Sequence, residues 1–219
     1  MKHSVAADFA KSVSDTAAIG DRTALVRVCA GWSADRLVPM LKSSSSEIVR
    51  AAVIGLSVNG DMSQSPQLAA LLTRVTNRAL VELLEDALWS IWMRAGSKNA
   101  NKMLAAAIHH VQHDALSEAD LILRELVILE PSFAEPHHQR GIVQTLLDQY
   151  EDATEEFDTA LRWNPYHFSA AANLGHVLVE REDFSRALVA YKRALQINPH
   201  LDAVGEALVS LKTVLQRAS

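Results

Sequence analysis

Apolar residues recur at helical spacing along most of the chain. Val5, Phe9 and Val13 stand four residues apart, which predicts an amphipathic helix near the N-terminus. Ser44 and Glu47 have the spacing of a capping box, which marks the start of another helix. The stripes together indicate an all-α protein, with predicted helices over residues 4–14, 21–30, 34–42, 47–57, 67–74 and 79–94.

The C-terminal half of the chain repeats itself every 34 residues. Gly141 returns as Gly175, and Phe157 returns as Tyr191. A fixed period of this length is the signature of a helical solenoid, in which each unit buries its apolar face against its neighbours. Other positions on the same period are Ala153 and Ala187, Asn164 and Asn198, and Pro131, Pro165 and Pro199.

These residue types have a physical reason to recur. Glycine lacks a Cβ, so Gly141 and Gly175 allow a second helix to approach closely. The aromatic side chains on the period then fill the space between helices. Proline clashes with a preceding helical turn, so Pro165 and Pro199 predict the end of the second helix in each unit. Each unit is therefore expected to be a pair of antiparallel helices.

The recurring glycine, alanine, aromatic and proline positions resemble the tetratricopeptide repeat, abbreviated TPR. The resemblance implies a protein that holds another protein. The first repeat is degenerate, since Ala107 takes the glycine position. Apolar residues on one stripe of the last segment, Val204 and Leu208 among them, predict a capping helix for the solenoid. The implied TPR domain covers residues 100–219, with repeats at 100–133, 134–167 and 168–201 and the cap at 202–217.

The N-terminal part, residues 1–99, resembles HEAT-like helical repeats of the short bacterial kind. The resemblance lies in the helix that starts at Ile48 and in the longer helix that runs to Arg94. Pro39-Met40-Leu41 and Ala70-Leu71-Leu72 suggest a period of 31 residues. Together the two resemblances imply an all-α, right-handed helical-repeat solenoid of bacterial origin.

Charge and composition narrow the function further. The 219-residue chain has a net charge of −5, with 17 acidic and 10 basic residues from position 100 onward. That acidic half is a poor match for nucleic-acid phosphates. No apolar run approaches the roughly 20 residues that cross a bilayer, and no secretory signal is recognisable, so we expect a cytoplasmic protein. Cys29 is the only cysteine, and we expect it to be a buried structural thiol.

In TPR proteins the first helix of each repeat lines a concave groove that receives partner peptides. The resemblance therefore implies a partner-binding groove, in which we expect His138 and His176 to face open space. None of its residues is lysine or arginine, so the lining suits an amphipathic helix or an extended apolar peptide and not a terminal carboxylate. The chain's own N-terminal half, or a second copy in a homodimer, is an alternative occupant. The groove positions are Leu104, Ile108, Val111, His138, Ile142, Thr145, Ala172, Asn173, His176 and Val179.

Two further patterns allow different chemistry. His109 and His113 share one helix face at a spacing that can hold zinc, but no HExxH arrangement accompanies them. Trp89 and Trp92, with Asp86 ahead of them, resemble the nucleotide-holding residues of HEAT-like DNA glycosylases. The alternative function is therefore a HEAT-fold enzyme, either a repair glycosylase or a lyase. Packing explains both patterns more simply, and we predict a non-catalytic adaptor without cofactor or metal.

Overall fold

Helices account for nearly all of the computed structural model, which describes residues 2–218 and the side chains of residues 5–217. The described part contains no β-strand. It divides into two compact units, Met1–Trp92 and Met93–Ser219. None of the described helices is both long enough and apolar enough to cross a bilayer.

The first unit is built around helix α4, which packs against α1, α2 and α6. Its buried side chains include Phe9, Leu37, Leu56 and Trp92. The HEAT-like interpretation of this unit stays a prediction. Its helices are α1 (Lys2–Ile19), α2 (Arg22–Ala30), α3 (Ala34–Leu37), α4 (Ser46–Asn59), α5 (Ser65–Leu72) and α6 (Arg78–Trp92), with 3₁₀ turns at Val38–Lys42 and Met62–Gln64.

The start of α4 differs from the prediction. Ser45, and not Ser44, is the N-cap residue, and its hydroxyl accepts a hydrogen bond from the backbone N–H of Ile48 at 3.5 Å. The predicted box of Ser44 and Glu47 is therefore wrong by one residue. In a run of four serines, any hydroxyl can cap, and the packing of the helix decides which one does.

The second unit consists of three helix hairpins and a final helix. Each hairpin pairs two antiparallel helices, and the first helices also contact each other in succession, α7 with α9 and α9 with α11. This is the arrangement expected of stacked repeats. The helices are α7 (Lys98–Gln112), α8 (Leu116–Leu129), α9 (Ala134–Leu146), α10 (Tyr150–Trp163), α11 (Phe168–Glu180), α12 (Phe184–Ile197) and α13 (Asp202–Ala218).

The repeated glycines lie where helices come closest. A Cβ built on Gly141 would come within 2.7 Å of the Phe157 ring. A Cβ on Gly175 would overlap the Tyr191 ring in the same way one repeat later. Both rings are buried. The glycine and the aromatic residue therefore form a matched pair in each of these hairpins, as the sequence predicts.

The turn within each hairpin has its own repeated feature. Asp114, Asp148 and Glu182 are 34 residues apart and have left-handed backbone, with φ of 58°, 58° and 57°. Non-glycine residues seldom adopt this conformation, because the Cβ crowds the backbone. The three turns thus share one backbone conformation although none contains glycine at that position.

Helix α13 covers the end of the third repeat. Val204, Leu208 and Leu211 are buried in the same core cluster as Tyr191 and Ala194. Exposed residues on the other side of the helix include Glu206 and Lys212. A helix with one apolar and one polar face is what the end of a repeat stack requires.

Candidate functional site

A cavity of about 280 Å³ opens between helices α9 and α11. Its lining is mostly apolar, and the largest exposed contribution is Leu146, of which 56% is accessible. Polar atoms enter the cavity from Thr145, Asn173 and His176. The lining residues are Ile142, Thr145, Leu146, Phe157, Asn173, His176 and Val177.

His176 presents a defined hydrogen-bonding atom to this cavity. The hydroxyl of Tyr191 lies 2.8 Å from His176 Nδ1 and donates to it when the imidazole is neutral. Burial lowers the pKa of His176 below its ordinary value, against the opposing charge of Glu180. A neutral ring with an occupied Nδ1 carries its proton on Nε2. His176 therefore offers an N–H donor to a bound molecule.

Beneath the cavity lies a buried cluster of Glu135, His138 and His167. The Glu135 carboxylate meets His138 Nδ1 at 3.0 Å through Oε1 and His167 Nε2 at 2.9 Å through Oε2. Gln139 donates a further hydrogen bond to Oε1 at 2.8 Å. The two imidazole rings pack against each other with centroids 4.2 Å apart. Three residues of two consecutive repeats thus form one hydrogen-bonded group.

The position of each proton follows from the neighbouring atoms. His167 is the N-cap of α11, and its Nδ1 accepts a hydrogen bond from the backbone N–H of Ala170 at 3.2 Å. Its proton therefore lies on Nε2, which donates to Glu135. His138 donates from Nδ1 to Glu135, and its Nε2 accepts from the amide Nδ2 of Asn173 at 3.2 Å. Asn173 lines the cavity, so this bond connects the buried cluster to the surface.

The electrostatics of the cluster favour an ionised carboxylate. Burial alone would raise the pKa of Glu135, but a positive charge on His138 and hydrogen bonds from both imidazoles hold it well below its ordinary value. The pKa of His167 is lowered to about 4, because burial and a charge on His138 both disfavour its protonation more than Glu135 favours it. When the cluster takes up a proton, His138 is the imidazole that receives it.

The same three residues are a donor set that a transition metal can use. One ligand atom from each of Glu135, His138 and His167 lies within 4.8 Å of the others. Metal binding at His167 Nε2 would require that atom to lose its proton. The proton would then move to Nδ1, where the N–H of Ala170 already donates. The hydrogen-bond pattern therefore favours a proton network over a metal site.

The structure brings together four of the ten predicted groove residues, Ile142, Thr145, Asn173 and His176. The expectation for His138 is wrong, since only 2% of it is exposed and its ring belongs to the buried cluster. Leu104 and Ala172 are also buried, at 0% and 8% exposure, and cannot line an open groove. Ile108, Val111 and Val179 are half-buried and pack against the core clusters.

Three lining residues were not predicted. Leu146 stands four residues after Ile142, so its helical spacing placed it on the same face. Phe157 and Val177 reach the cavity from beneath, between the first helices. The sequence shows them as core residues, and nothing in their spacing indicates that part of each faces a cavity.

The other candidate chemistries have ordinary surroundings. His113 Nδ1 lies 2.8 Å from the backbone oxygen of His109, within one exposed helix end. Trp92 is buried, and its Nε1 donates to Ser65 Oγ at 3.3 Å. The first unit also contains a cavity of about 350 Å³ between α1 and α4, in which Glu47 and Arg50 are the charged residues.

The comparison with curated proteins finds a TPR repeat-containing protein of Rhizobium etli. The two are 24% identical over 108 residues, which are 49% of this chain and 53% of that protein. The match thus spans about half the length of the curated relative. No protein-family model matches the chain.

Solved structures of TPR domains share the fold. The first TPR domain of Spaghetti (RPAP3), bound to the HSP90 peptide SRMEEVD, is 16% identical, with a TM-score of 0.54 over 55% of this chain and 96% of that one. The Sgt2 TPR domain of Aspergillus fumigatus is 18% identical, with a TM-score of 0.53 over 56% and 82%. The chain therefore contains a TPR-like helical solenoid, as its 34-residue period predicts.

Proposed function

We propose that the chain is a non-catalytic adaptor that holds an uncharged, largely apolar segment of another protein in the cavity between α9 and α11. The observation that carries this proposal is the exposure of Leu146 and Ile142 beside a small number of oriented polar atoms. Apolar concave surfaces with a few fixed hydrogen-bonding groups are typical of ligand sites. A preformed stack of hairpins also loses little conformational entropy on binding.

The chemistry of the lining supports a particular kind of partner. None of the seven lining residues is lysine or arginine. The RPAP3 domain is bound to a peptide that carries acidic residues. A peptide of that charge would find no cation among the residues that line this cavity, whereas apolar side chains would meet Ile142, Leu146 and Val177. We therefore propose an apolar segment, with its backbone hydrogen-bonded by Asn173 and His176.

A matched pair of substitutions tests the proposal. Leu146 and Leu129 are the last residues of α9 and α8, and they are 56% and 57% exposed. Peptides are first selected on the immobilised full chain from a displayed 12-residue library. We expect Leu146→Glu to weaken binding of a selected peptide by about tenfold or more, because a charge enters an apolar site.

Leu129→Glu is the control, since it places the same charge at an equivalent helix end outside the cavity. We expect it to leave the dissociation constant within about twofold of the original. Fluorescence anisotropy with a labelled peptide gives both values, and circular dichroism verifies folding. Equal effects of the two substitutions would exclude the cavity as the binding site. Analytical ultracentrifugation of the free chain separates binding of a foreign segment from self-association.

A further inference from the structure

The orientation of the Asn173 amide decides what the cavity offers to a bound backbone. Asn173 Nδ2 faces His138 Nε2 at 3.2 Å and donates to it. The other end of the amide, Oδ1, is then the atom available to accept a hydrogen bond in the cavity. If the amide turned over, the cavity would present an N–H group at the same place. A rotation of one side chain therefore reverses the hydrogen-bond polarity of the site.

His138 controls this rotation, because its Nδ1 proton is committed to Glu135. With Nδ1 as a donor at 3.0 Å from Oε1, a neutral His138 has a lone pair on Nε2 and holds the amide nitrogen of Asn173. A second proton on the ring must go to Nε2. Nε2–H cannot face an N–H donor, so the amide turns and Oδ1 comes to face His138.

The surroundings of His138 make it the group that takes up the added proton. Glu135 on its own helix faces the ring with a buried carboxylate, and His167 faces it from the turn before α11. Helix α10 contributes the Phe157 ring, whose centroid lies 6.0 Å from that of His138. His167 is held by the Ala170 N–H as a cap and cannot accept a proton on Nδ1 without losing that bond.

We infer that His138 is a positioning residue for partner binding: while it is neutral, it turns Asn173 Oδ1 toward the cavity, so that the site accepts a hydrogen bond from a backbone N–H of the bound segment, and its protonation reverses that preference. This inference rests on the proposed function for its consequence, but the coupling of His138 to Asn173 is a property of the free protein. His176 keeps its Nε2–H in either protonation state and does not contribute to the reversal.

The coupling is tested first in the free chain by ¹⁵N nuclear magnetic resonance. At pH 7.5 we expect the nitrogen shifts of His138 to show a proton on Nδ1 and none on Nε2. As the pH is lowered toward 4.5, the side-chain amide resonances of Asn173 are expected to move with the same midpoint as His138. A proton on Nε2 at neutral pH would overturn the inference, and so would an Asn173 amide that does not follow His138.

Binding is tested with a selected peptide and its ester analogues, in which one backbone N–H at a time is replaced by oxygen. At pH 7.5 one ester is expected to bind about 3- to 10-fold more weakly than the parent peptide, as expected for one lost hydrogen bond. At a pH where His138 is protonated, the parent should bind more weakly and the ester penalty should disappear. An ester penalty that is the same at both pH values would contradict the inference.

Two variants keep this test independent of folding. His138→Gln can place an amide oxygen where Nε2 stands and does not titrate, so its ester penalty should persist at low pH. Asn173→Ala should bind all the analogues with equal affinity. If selected peptides bind Leu146→Glu as tightly as the original chain, the proposed function fails, while the resonance experiment on the free chain still decides the coupling.

Discussion

A carboxylate without access to solvent must be held by donors, and Glu135 meets three of them. His138, Gln139 and His167 donate to its two oxygens, and all the distances are between 2.8 and 3.0 Å. Leaving such a charge without one of its donors is costly. These residues therefore fix how α9 and α11 meet, and through Asn173 they influence the cavity.

The first prediction at this scale concerns acid stability. The folded pKa of His167 is lowered to about 4 from 6.5, so the unfolded chain binds the proton more readily. The stability is full above pH 6.5 and is lost as the pH falls toward 4. The lowered pKa of Glu135 adds to the loss below pH 4.5. We expect urea unfolding to give a free energy that falls by on the order of 2 kcal/mol between pH 7 and pH 4.5.

His167→Asn is the matched variant for this prediction. An asparagine oxygen can still cap α11, but the residue does not titrate and does not reach Glu135 in the same way. Its free energy of unfolding should be lower at pH 7 and should change less between the two pH values. Parallel pH profiles for the variant and the original chain would show that His167 is not the source of the acid sensitivity.

The second prediction concerns the close contact at Gly175. Alanine at this position would overlap the Tyr191 ring, so Gly175→Ala should lower the free energy of unfolding by about 1–3 kcal/mol. A Cβ at Gly205 in α13 has no atom within 4 Å. Gly205→Ala should therefore stabilise the chain by about 0.5–1 kcal/mol through helix propensity. Chemical denaturation of both variants measures the difference, and equal effects would contradict the packing argument.

At the scale of the element, each hairpin depends on its turn. The left-handed residue stands at the same place in all three turns, two residues after the first helix ends in the second and third hairpins. The position favours glycine, which has no Cβ to crowd the backbone. Asp114, Asp148 and Glu182 hold the conformation because the flanking helices fix it.

We therefore predict that Glu182→Gly stabilises the chain by about 1 kcal/mol, since the strain of a left-handed non-glycine residue is removed. Thermal and urea unfolding measure this change. Ser185→Gly is the control, because Ser185 lies in the first turn of α12, where glycine lowers helix stability. A destabilised Glu182→Gly variant would show that the glutamate side chain makes a contribution that outweighs its backbone strain.

The regular features of the elements were predictable from sequence, and the left-handed turns were not. Gly141, Gly175, Phe157 and Tyr191 announce the hairpins because residue type and period both constrain them. The turn residues share a position but not a residue type, so no recurring letter marks them. The serine run before α4 likewise shows where a helix begins but not which hydroxyl caps it.

At the scale of the whole molecule, the site shows where the sequence loses its information. The 34-residue period correctly placed Ile142, Asn173 and His176 on one surface. It also placed His138 there, because position on a helix gives a direction but not a depth. His138 is buried because Glu135 and His167, 32 residues apart, meet beside it. A long-range contact of this kind leaves no mark on a local pattern.

The central claim is that a foreign segment occupies the cavity between α9 and α11, and the most direct measurement is mapping of a selected peptide by ¹H–¹⁵N resonance shifts on the full chain. The claim predicts that the largest shifts occur at Ile142, Thr145, Leu146, Asn173 and His176, and that Leu146→Glu abolishes them. Shifts concentrated on exposed residues outside the cavity, such as Ile128 and Val189, or within the first unit, would contradict it.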